Sequence, residues 1–175
     1  MHAVSVPVFG RYLGQLAHIV ALAEAHALRE GLDPQRLLQA RLADDMLPFA
    51  AQVDIAAQFS LRACAPLAGL EVPAFGSHSG SFAALQERIG RSSAFLAALT
   101  PAQMQGSEHR AVSERAGQAT VSLPGADFLL LYALPNFFFH MSTAYAILRQ
   151  AGVRLGKSDF DGFHVYAAGS EPLRR

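Results

Sequence analysis

Apolar residues recur at alternating steps of three and four along the chain, which is the spacing of one face of an α-helix. The face of a first segment consists of Phe9, Leu13, Leu16, Val20, Ala23 and Ala27. That of a second segment consists of Phe49, Val53, Ala56, Phe59, Ala63 and Leu67. That of a third consists of Phe82, Leu85, Ile89, Ser92, Leu96 and Leu99. A fourth segment is apolar nearly all round, which indicates the most buried helix.

Side chains that cap helices, and glycines that end them, set the predicted boundaries of the first two helices. We expect Ser5 to cap the first helix and Gly31 to end it. We expect Asp44 or Asp45 to cap the second helix, with Pro48 in its first turn. A short extra helix is predicted between them.

The same signals bound the later elements. The third helix is expected to open at Ser79 or Ser81, and the fourth is expected to run from Asp127 to Gly152. Between them the helical period is absent and a β-rich run appears. This favours a small hairpin in which Arg110–Ser113 pairs with Ala119–Leu123.

These elements predict an all-α fold, a four-helix bundle with a small β-hairpin insert between helices 3 and 4. A length of 175 residues suits a single domain, residues 1–175. Residues 163–175 show no clear period, so we expect a mobile tail there.

Composition narrows the range of partners. Hydrophobic residues make up 51% of the chain and charged residues 16%, which is too apolar for disorder. Fourteen basic residues balance fourteen acidic ones, so nucleic acid is not an expected partner. Cys64 is the single cysteine, which excludes an internal disulfide and a paired-cysteine metal site and favours a small core residue. The N-terminus lacks the pattern of a signal peptide, so we expect a cytoplasmic location.

The fourth segment is long enough to cross a bilayer, because residues 128–148 carry no Asp, Glu, Lys or Arg. Pro135, Asn136 and His140 interrupt it with helix-bending or polar groups, each of which would need a protein partner in a membrane. We therefore interpret it as a buried helix, expect no other segment to span, and expect no membrane partner. Its many aromatic residues suggest that one flank packs in a homodimer.

Polar residues on the fourth and second helices form a candidate site. Tyr132, Asn136 and His140 are four residues apart and form one row. Asp45 and Gln52 are two turns apart on the second helix. If both rows face inward, they line a polar pocket for a small molecule, in which His140 is an acid, a base or a ligand and Asp45 orients it.

Each of these features also has a structural interpretation. The row is also explained by a buried hydrogen-bonded network in which Asn136 bonds to carbonyl groups freed by Pro135. Arg41 either receives a ligand carboxylate at the pocket mouth or forms a surface ion pair with Asp44 or Asp45.

Other polar residues are expected to be structural. His18 and His26 lie off the apolar row of the first helix, so we expect both to be exposed. Lys157 and Asp159 are expected to hold the segment after the fourth helix against the rest of the protein.

Three sequence runs carry a family resemblance: ARLADDMLPFAAQV at 40–53, GLEVPAF at 69–75, and ALPNFFFHMSTAYAILRQAGVRLGKSDFDG at 133–162. The last contains the pattern H-x-S/T-x-A-Y-x-x-L-R-x-x-G-V. The chain resembles the DinB-like metalloenzyme superfamily, and within it a bacterial branch known only as a domain of unknown function. The likeness extends over about residues 4–162.

The resemblance implies an up-down-down-up four-helix bundle, often dimeric, in which many members hold a divalent metal through three histidines. One lies on the second helix and two lie four residues apart on the last. His140 matches the last of them, Asn136 stands at the second position, and no histidine occurs between Pro48 and Gln52.

The ligand set is therefore degraded, and no metal cofactor is expected. If a metal such as Zn or Ni does bind, His140 is its ligand. We expect a protein that binds a small ligand around Asn136 and His140. The alternative is a divalent-metal-dependent enzyme of the DinB-like thiol-transferase or hydrolase kind.

Overall fold

The computed structural model describes residues 1–76 and 80–164. In these ranges the protein is mostly helical, with one two-stranded antiparallel sheet. The α-helices are α1 (His2–Arg29), α2 (Pro34–Leu38), α3 (Phe49–Leu67), α4 (Phe82–Ala97), α5 (Gly125–Asp127), α6 (Leu134–Gln150) and α7 (Lys157–Asp161). The strands are β1 (Ala111–Ala116) and β2 (Ala119–Pro124). Two 3₁₀ turns cover Ala102–Met104 and Ser107–His109, and a π-helical segment covers Phe128–Ala133.

The four long helices pack against one another through their apolar faces. Helix α3 contacts both α4 and α6, and α1 contacts α4, α3 and α6. Every residue of the three predicted apolar faces is buried, and together these residues form one core. The helical periodicity therefore identified the core correctly, because a helix stabilises a fold chiefly by burying one face.

The predicted caps of the first two long helices are wrong. Helix α1 begins at His2, and Ser5 lies inside it, buried, with its hydroxyl donating to the carbonyl of Met1 at 3.1 Å. Helix α3 begins at Phe49. Proline disfavours the helical conformation in the residue before it, so Pro48 stops α3 from extending toward Asp45.

The predicted end of the fourth helix at Gly152 is confirmed. Gly152 adopts φ +89°, a conformation that favours glycine. The backbone N–H of Val153 donates to the carbonyl of Leu148 at 2.9 Å, and that of Gly152 to Arg149 at 3.2 Å. This pair of bonds satisfies the carbonyl groups that a helix end leaves open.

The start of the fourth helix differs from the prediction. The helical run opens at Gly125, two residues before Asp127, whose side chain makes no capping bond. A π-helical segment follows, and the N–H of Leu134 donates to Leu129, five residues back. Pro135 lacks the N–H that would bond to Leu131 in an α-helix, which is a physical reason for a wider turn here.

The hairpin is confirmed, with a longer first strand than predicted. The register pairs Ala111 with Pro124 and Ala116 with Ala119. The Ser113 and Ser122 hydroxyls lie 2.8 Å apart on its exposed face. The hairpin leads directly into α5 and the π-helical segment, so it is placed beside the first part of the fourth helix.

One helix in the described residues, α1, is long and apolar enough to cross a membrane by length and composition alone. This differs from the expectation that only residues 128–148 could be such a segment, since α6 is shorter and follows an interruption. Core helices and signal sequences pass the same test. Helix α1 supplies Phe9, Leu13 and Leu16, all fully buried, to the core.

Helix α7 lies across α1, as the sequence suggested. His18 Nε2 lies 2.9 Å from a carboxylate oxygen of Asp159, and Arg11 donates two hydrogen bonds to the carbonyl of Asp161. Asp159 thus holds this segment, whereas Lys157 is exposed. Of the predicted tail, only Phe163 and His164 lie within the described residues, and Ser79 lies outside them.

Candidate functional site

The predicted site is centred on one side-chain pair that joins α3 to α6. His140 Nδ1 lies 2.7 Å from Gln52 Oε1. Gln52 is 2% exposed, and its Nε2 donates to the carbonyl of Leu47 at 3.2 Å. Because that carbonyl requires a donor, the Gln52 amide nitrogen faces Leu47 and its oxygen faces the imidazole. His140 Nδ1 therefore carries the proton and donates it to Gln52.

The remaining ring nitrogen of His140 is available for chemistry. In a neutral imidazole with hydrogen on Nδ1, Nε2 carries a lone pair. Nε2 accepts no hydrogen bond from another residue in the described ranges. Burial, and then the positive charge of Arg62, lower the pKa of His140 below its usual value. The neutral form is therefore favoured, and Nε2 can act as a base, an acceptor or a ligand.

Aromatic rings fix the imidazole in place. Phe59 is stacked on His140, with ring centroids 5.8 Å apart and planes 20° apart. Phe139 packs edge-on against His140, with ring centroids 5.2 Å apart. Phe59 also contacts Tyr132 at 5.9 Å. The structure thus brings Tyr132 and His140, two members of the predicted row, to the same phenyl ring.

Asn136, the third member of the row, has a structural bond. Its Nδ2 donates to the carbonyl of Tyr132 at 2.7 Å, where the π-helical segment meets α6. This is close to the structural alternative weighed above, although the acceptor lies one residue after the carbonyl that Pro135 leaves open. The Asn136 amide nitrogen is thus engaged by the backbone.

Two residues that the sequence did not single out complete the site. Arg62 on α3 forms an ion pair with Glu114 on β1. Its guanidinium carbon lies 4.3 Å from the centroid of the Phe59 ring, and its side chain hydrogen bonds to Tyr132. Desolvation lowers the pKa of Arg62. Arg62 falls three residues after Phe59 on the helix that carries Gln52, which is the only sequence signal that points to it.

Two predicted site residues lie in the loop before α3 and not on its inward face. Asp45 is exposed in the turn that precedes Pro48, and Gln52, not Asp45, orients His140. Arg41 is exposed and donates from Nη1 to the carbonyl of Met46 at 3.0 Å. The wrong placement of the α3 cap is the cause, because it assigned Asp45 to a helical turn that does not form.

The other histidines divide between surface and core. His18 is exposed, as predicted, although it bonds to Asp159. The prediction for His26 is wrong, because it is only 9% exposed and its Nδ1 lies 3.1 Å from Arg29 Nη2. Arg29 supplies the polar partner that burial of an imidazole requires. His78 lies outside the described residues.

The donors around His140 do not fit a divalent transition metal. Such ions take three or four strong ligands, usually imidazole, thiolate or carboxylate. In the ranges 1–76 and 80–164, no three His, Cys, Asp or Glu side chains are close enough to hold one ion. The polar side chain that contacts His140 is the Gln52 amide, whose Oε1 already accepts the proton of Nδ1.

Comparison with known proteins agrees with the family resemblance. The family model described as "Domain of unknown function (DUF1993)" matches residues 1–161. The chain is also similar to a solved structure, the crystal structure of a DinB family member protein from Shewanella denitrificans. The two are 32% identical over 95% of this chain and 94% of that chain, with a TM-score of 0.86. No curated protein is significantly similar to the chain.

The family model and the solved relative each extend over nearly the whole length that the structure describes, and the run at 133–162 includes the helix that carries His140. The chain belongs to the DUF1993 family, an uncharacterised branch of the DinB-like superfamily.

Proposed function

We propose that this protein binds a small molecule at the Gln52–His140 pair, without a metal. The observation that carries the proposal is the orientation of His140, whose Nδ1–H is held by Gln52 so that Nε2 keeps its lone pair. His140 is half-buried, and Nε2 bonds to no other described residue, so it is accessible to a partner from solvent. Nε2 is left for a donor group on a ligand.

The arrangement of helices supports a site at this position. We infer that the four long helices form the up-down-down-up bundle that the resemblance implies. The pair then joins the second and fourth helices of that bundle, where side chains of facing helices commonly build ligand sites. The π-helical segment beside it is a further argument, because such segments are frequent at functional sites.

The chemistry of these side chains favours binding over metal catalysis. A neutral imidazole, a buried amide and a guanidinium offer hydrogen bonds and one positive charge, but the donor set for a transition metal is incomplete. Proton transfer at Nε2 is the one catalytic step that these residues could perform by themselves.

Nuclear magnetic resonance can test the proposal directly. The imidazole Cε1–H signal of His140 is assigned by comparison with a His140→Gln variant, and a library of small fragments is then screened. We expect a subset of fragments to shift the His140 signal and to bind the variant at least about tenfold more weakly. If no fragment perturbs His140, the pair is a structural network and the proposal fails.

Metal analysis distinguishes this proposal from the alternative of a metal-dependent enzyme. Protein prepared without a histidine tag is measured by plasma mass spectrometry, before and after incubation with Zn²⁺ or Ni²⁺. The proposal predicts no stoichiometric metal. About one metal ion per chain, lost in His140→Ala but kept in His109→Ala, would replace the proposal with the metal-dependent enzyme.

We further propose that the protein is a homodimer. Leu131 and Phe139, on the fourth helix and its π-helical segment, are 71% and 58% exposed. Large apolar side chains this exposed on one element favour a protein interface. Sedimentation equilibrium on the wild type and on Phe139→Gln tests this, because the dimer is expected to weaken in the variant. A monomeric wild type would overturn it.

A further inference from the structure

The hairpin places a single charged side chain against the proposed site. Along β1 and β2 the residues alternate between faces, as strand geometry requires. The outer face is exposed. The inner face carries Val112, Glu114, Val121 and Leu123, of which Val112 is 3% exposed and Val121 and Leu123 are half-buried. Glu114 is the one ionisable residue among these four, so its inward position requires a partner.

That partner is Arg62. The Glu114 side chain is 14% exposed, and both of its carboxylate oxygens are buried. Within the described residues, the ion pair with Arg62 is the polar contact that these oxygens make. A carboxylate buried with one partner is stabilised far less than one that also receives backbone or hydroxyl donors. The ion pair with Arg62 therefore holds the Glu114 carboxylate in the site, although removing that carboxylate from water costs free energy.

Arg62 connects this carboxylate to His140. Phe59 lies between the two residues, stacked on His140 and covered by the guanidinium of Arg62 at 4.3 Å. The charge of Arg62 is also one cause of the lowered pKa of His140. Arg62 is thus part of the same site, and Glu114 occupies the place at Arg62 that an external anion would take.

The hairpin is attached so that Glu114 could leave. It contacts the helices through the last part of β2, which packs near α5 and the π-helical segment, and through the buried side chain of Val112. The far end of the hairpin, from Gly117 to Thr120, is exposed. Releasing the Glu114 contact breaks no contact between the long helices themselves, and lifting β1 further withdraws Val112 from the core.

We propose that the ligand of this site carries a carboxylate, which binds Arg62 in place of Glu114 and lifts the hairpin. This inference rests on the proposed function, whose ligand class it names. A guanidinium binds a carboxylate through two parallel N–H···O bonds, so one carboxylate can replace another with the same geometry. The apolar inner face of the hairpin and the Phe59 ring favour an aromatic or aliphatic body on that ligand.

The test compares benzoate with benzamide, which has the same ring and no charge. Binding is followed by nuclear magnetic resonance in the wild type, Glu114→Gln and Arg62→Gln, with Glu108→Gln as a control on a second, half-buried acidic residue. Glu114→Gln removes the competing charge and keeps the shape of the side chain. We expect it to bind benzoate on the order of tenfold more tightly than the wild type. Arg62→Gln should lose benzoate, and Glu108→Gln should match the wild type.

Amide hydrogen exchange supplies a second readout. Benzoate should speed exchange in the hairpin, at residues 112–121, because the bond between Glu114 and Arg62 is broken. Equal benzoate affinity in the wild type and Glu114→Gln, or equal affinity for benzoate and benzamide, would overturn the inference. If neutral fragments still shift the His140 signal, the proposed function stands and only its ligand class is wrong. If nothing shifts that signal, both fail.

Discussion

Gln52 Oε1 and His140 Nδ1 are 2.7 Å apart, although the two residues are separated by 88 positions in the chain. The contact joins α3 to α6 at the level where the family resemblance places a metal-binding histidine on each helix. Gln52 lies at the end of the stretch from Pro48 to Gln52 in which the resemblance places the second-helix histidine. In this chain the two helices are joined here by a hydrogen bond from His140 to the Gln52 amide.

This contact predicts how His140 titrates. In the wild type, its pKa should lie below the ordinary value of about 6.5, because burial and Arg62 both disfavour the imidazolium. Gln52→Glu should raise that pKa, since a carboxylate stabilises the charged ring. Gln52→Leu should lower it further, since the imidazolium loses an acceptor. Titration of the His140 Cε1–H signal measures each value.

The signal of His109 serves as an internal control for that titration. Its side chain is 89% exposed, and its ion-pair contact is with the neighbouring Glu108. It should be insensitive to every substitution at residue 52. A His140 signal that is equally insensitive would show that Gln52 does not hold the ring in solution.

The same shift predicts the pH dependence of stability. A histidine with a lowered pKa is less protonated in the folded than in the unfolded protein. The unfolded state therefore binds more protons between the two pKa values, and the free energy of unfolding rises with pH there. The stability due to neutral His140 is complete above about pH 6.5 and is lost as the pH falls through the folded-state pKa. Urea unfolding of the wild type and His140→Gln at several pH values measures this.

The prediction concerns how the free energy of unfolding depends on pH in the wild type compared with His140→Gln. His140→Gln lacks the titrating group, so its stability should fall less than that of the wild type on acidification below pH 6.5. Parallel pH profiles would mean that His140 titrates alike in the folded and unfolded states, contrary to its burial.

The core of this fold could be predicted from the sequence because helix faces repeat at a regular spacing. Every residue of the three predicted faces is buried, and the row on the fourth helix lies at the candidate site. The start of α3 could not be predicted from its acidic residues. Asp45 is a good capping residue by type, but the conformational effect of Pro48 on the preceding residue outweighs that preference.

The charged half of the site was inaccessible to sequence reasoning for a different reason. Arg62 and Glu114 meet only because the hairpin folds back over α3, and a contact between a helix and a distant strand leaves no periodic signal. Gln52 and His140 were identified because helical spacing placed each of them with other polar residues on one face of its own helix. Only the three-dimensional structure shows that His140 bonds to Gln52 and not to Asp45.

Cys64 provides a prediction about the core. It is fully buried, and burial raises the pKa of its thiol to about 12. Only the thiolate reacts readily, so the folded protein should be almost inert to an aromatic disulfide reagent at neutral pH. Full reaction is expected in urea. Labelling measured across the urea transition should follow the unfolding curve, and rapid labelling without urea would contradict the burial of Cys64.

We expect substitution by alanine to have opposite effects on stability at two glycines, Gly125 and Gly90. A Cβ on Gly125 would lie 2.1 Å from the carbonyl oxygen of Ser107 and 2.7 Å from Leu67, whereas a Cβ on Gly90 would meet nothing within 4 Å. Gly125→Ala forces the backbone of the 3₁₀ turn away from α5, and we expect the free energy of unfolding to fall by about 3 kcal/mol. Gly90→Ala, inside α4, removes freedom from the unfolded chain and should raise it by about 0.5–1 kcal/mol.

Urea unfolding of both alanine variants and the wild type checks this pair. The comparison is informative about the candidate site, because Gly125 lies where the hairpin that carries Glu114 enters the fourth helix. If Gly125→Ala folds, the displaced turn should also loosen the hairpin, and hydrogen exchange at residues 112–121 should quicken. Gly90→Ala should leave that exchange unchanged. Equal stability of the two variants would mean that the close approach of Ser107 to Gly125 does not exist in solution. The contact that fixes the hairpin over Arg62 would then be absent as well.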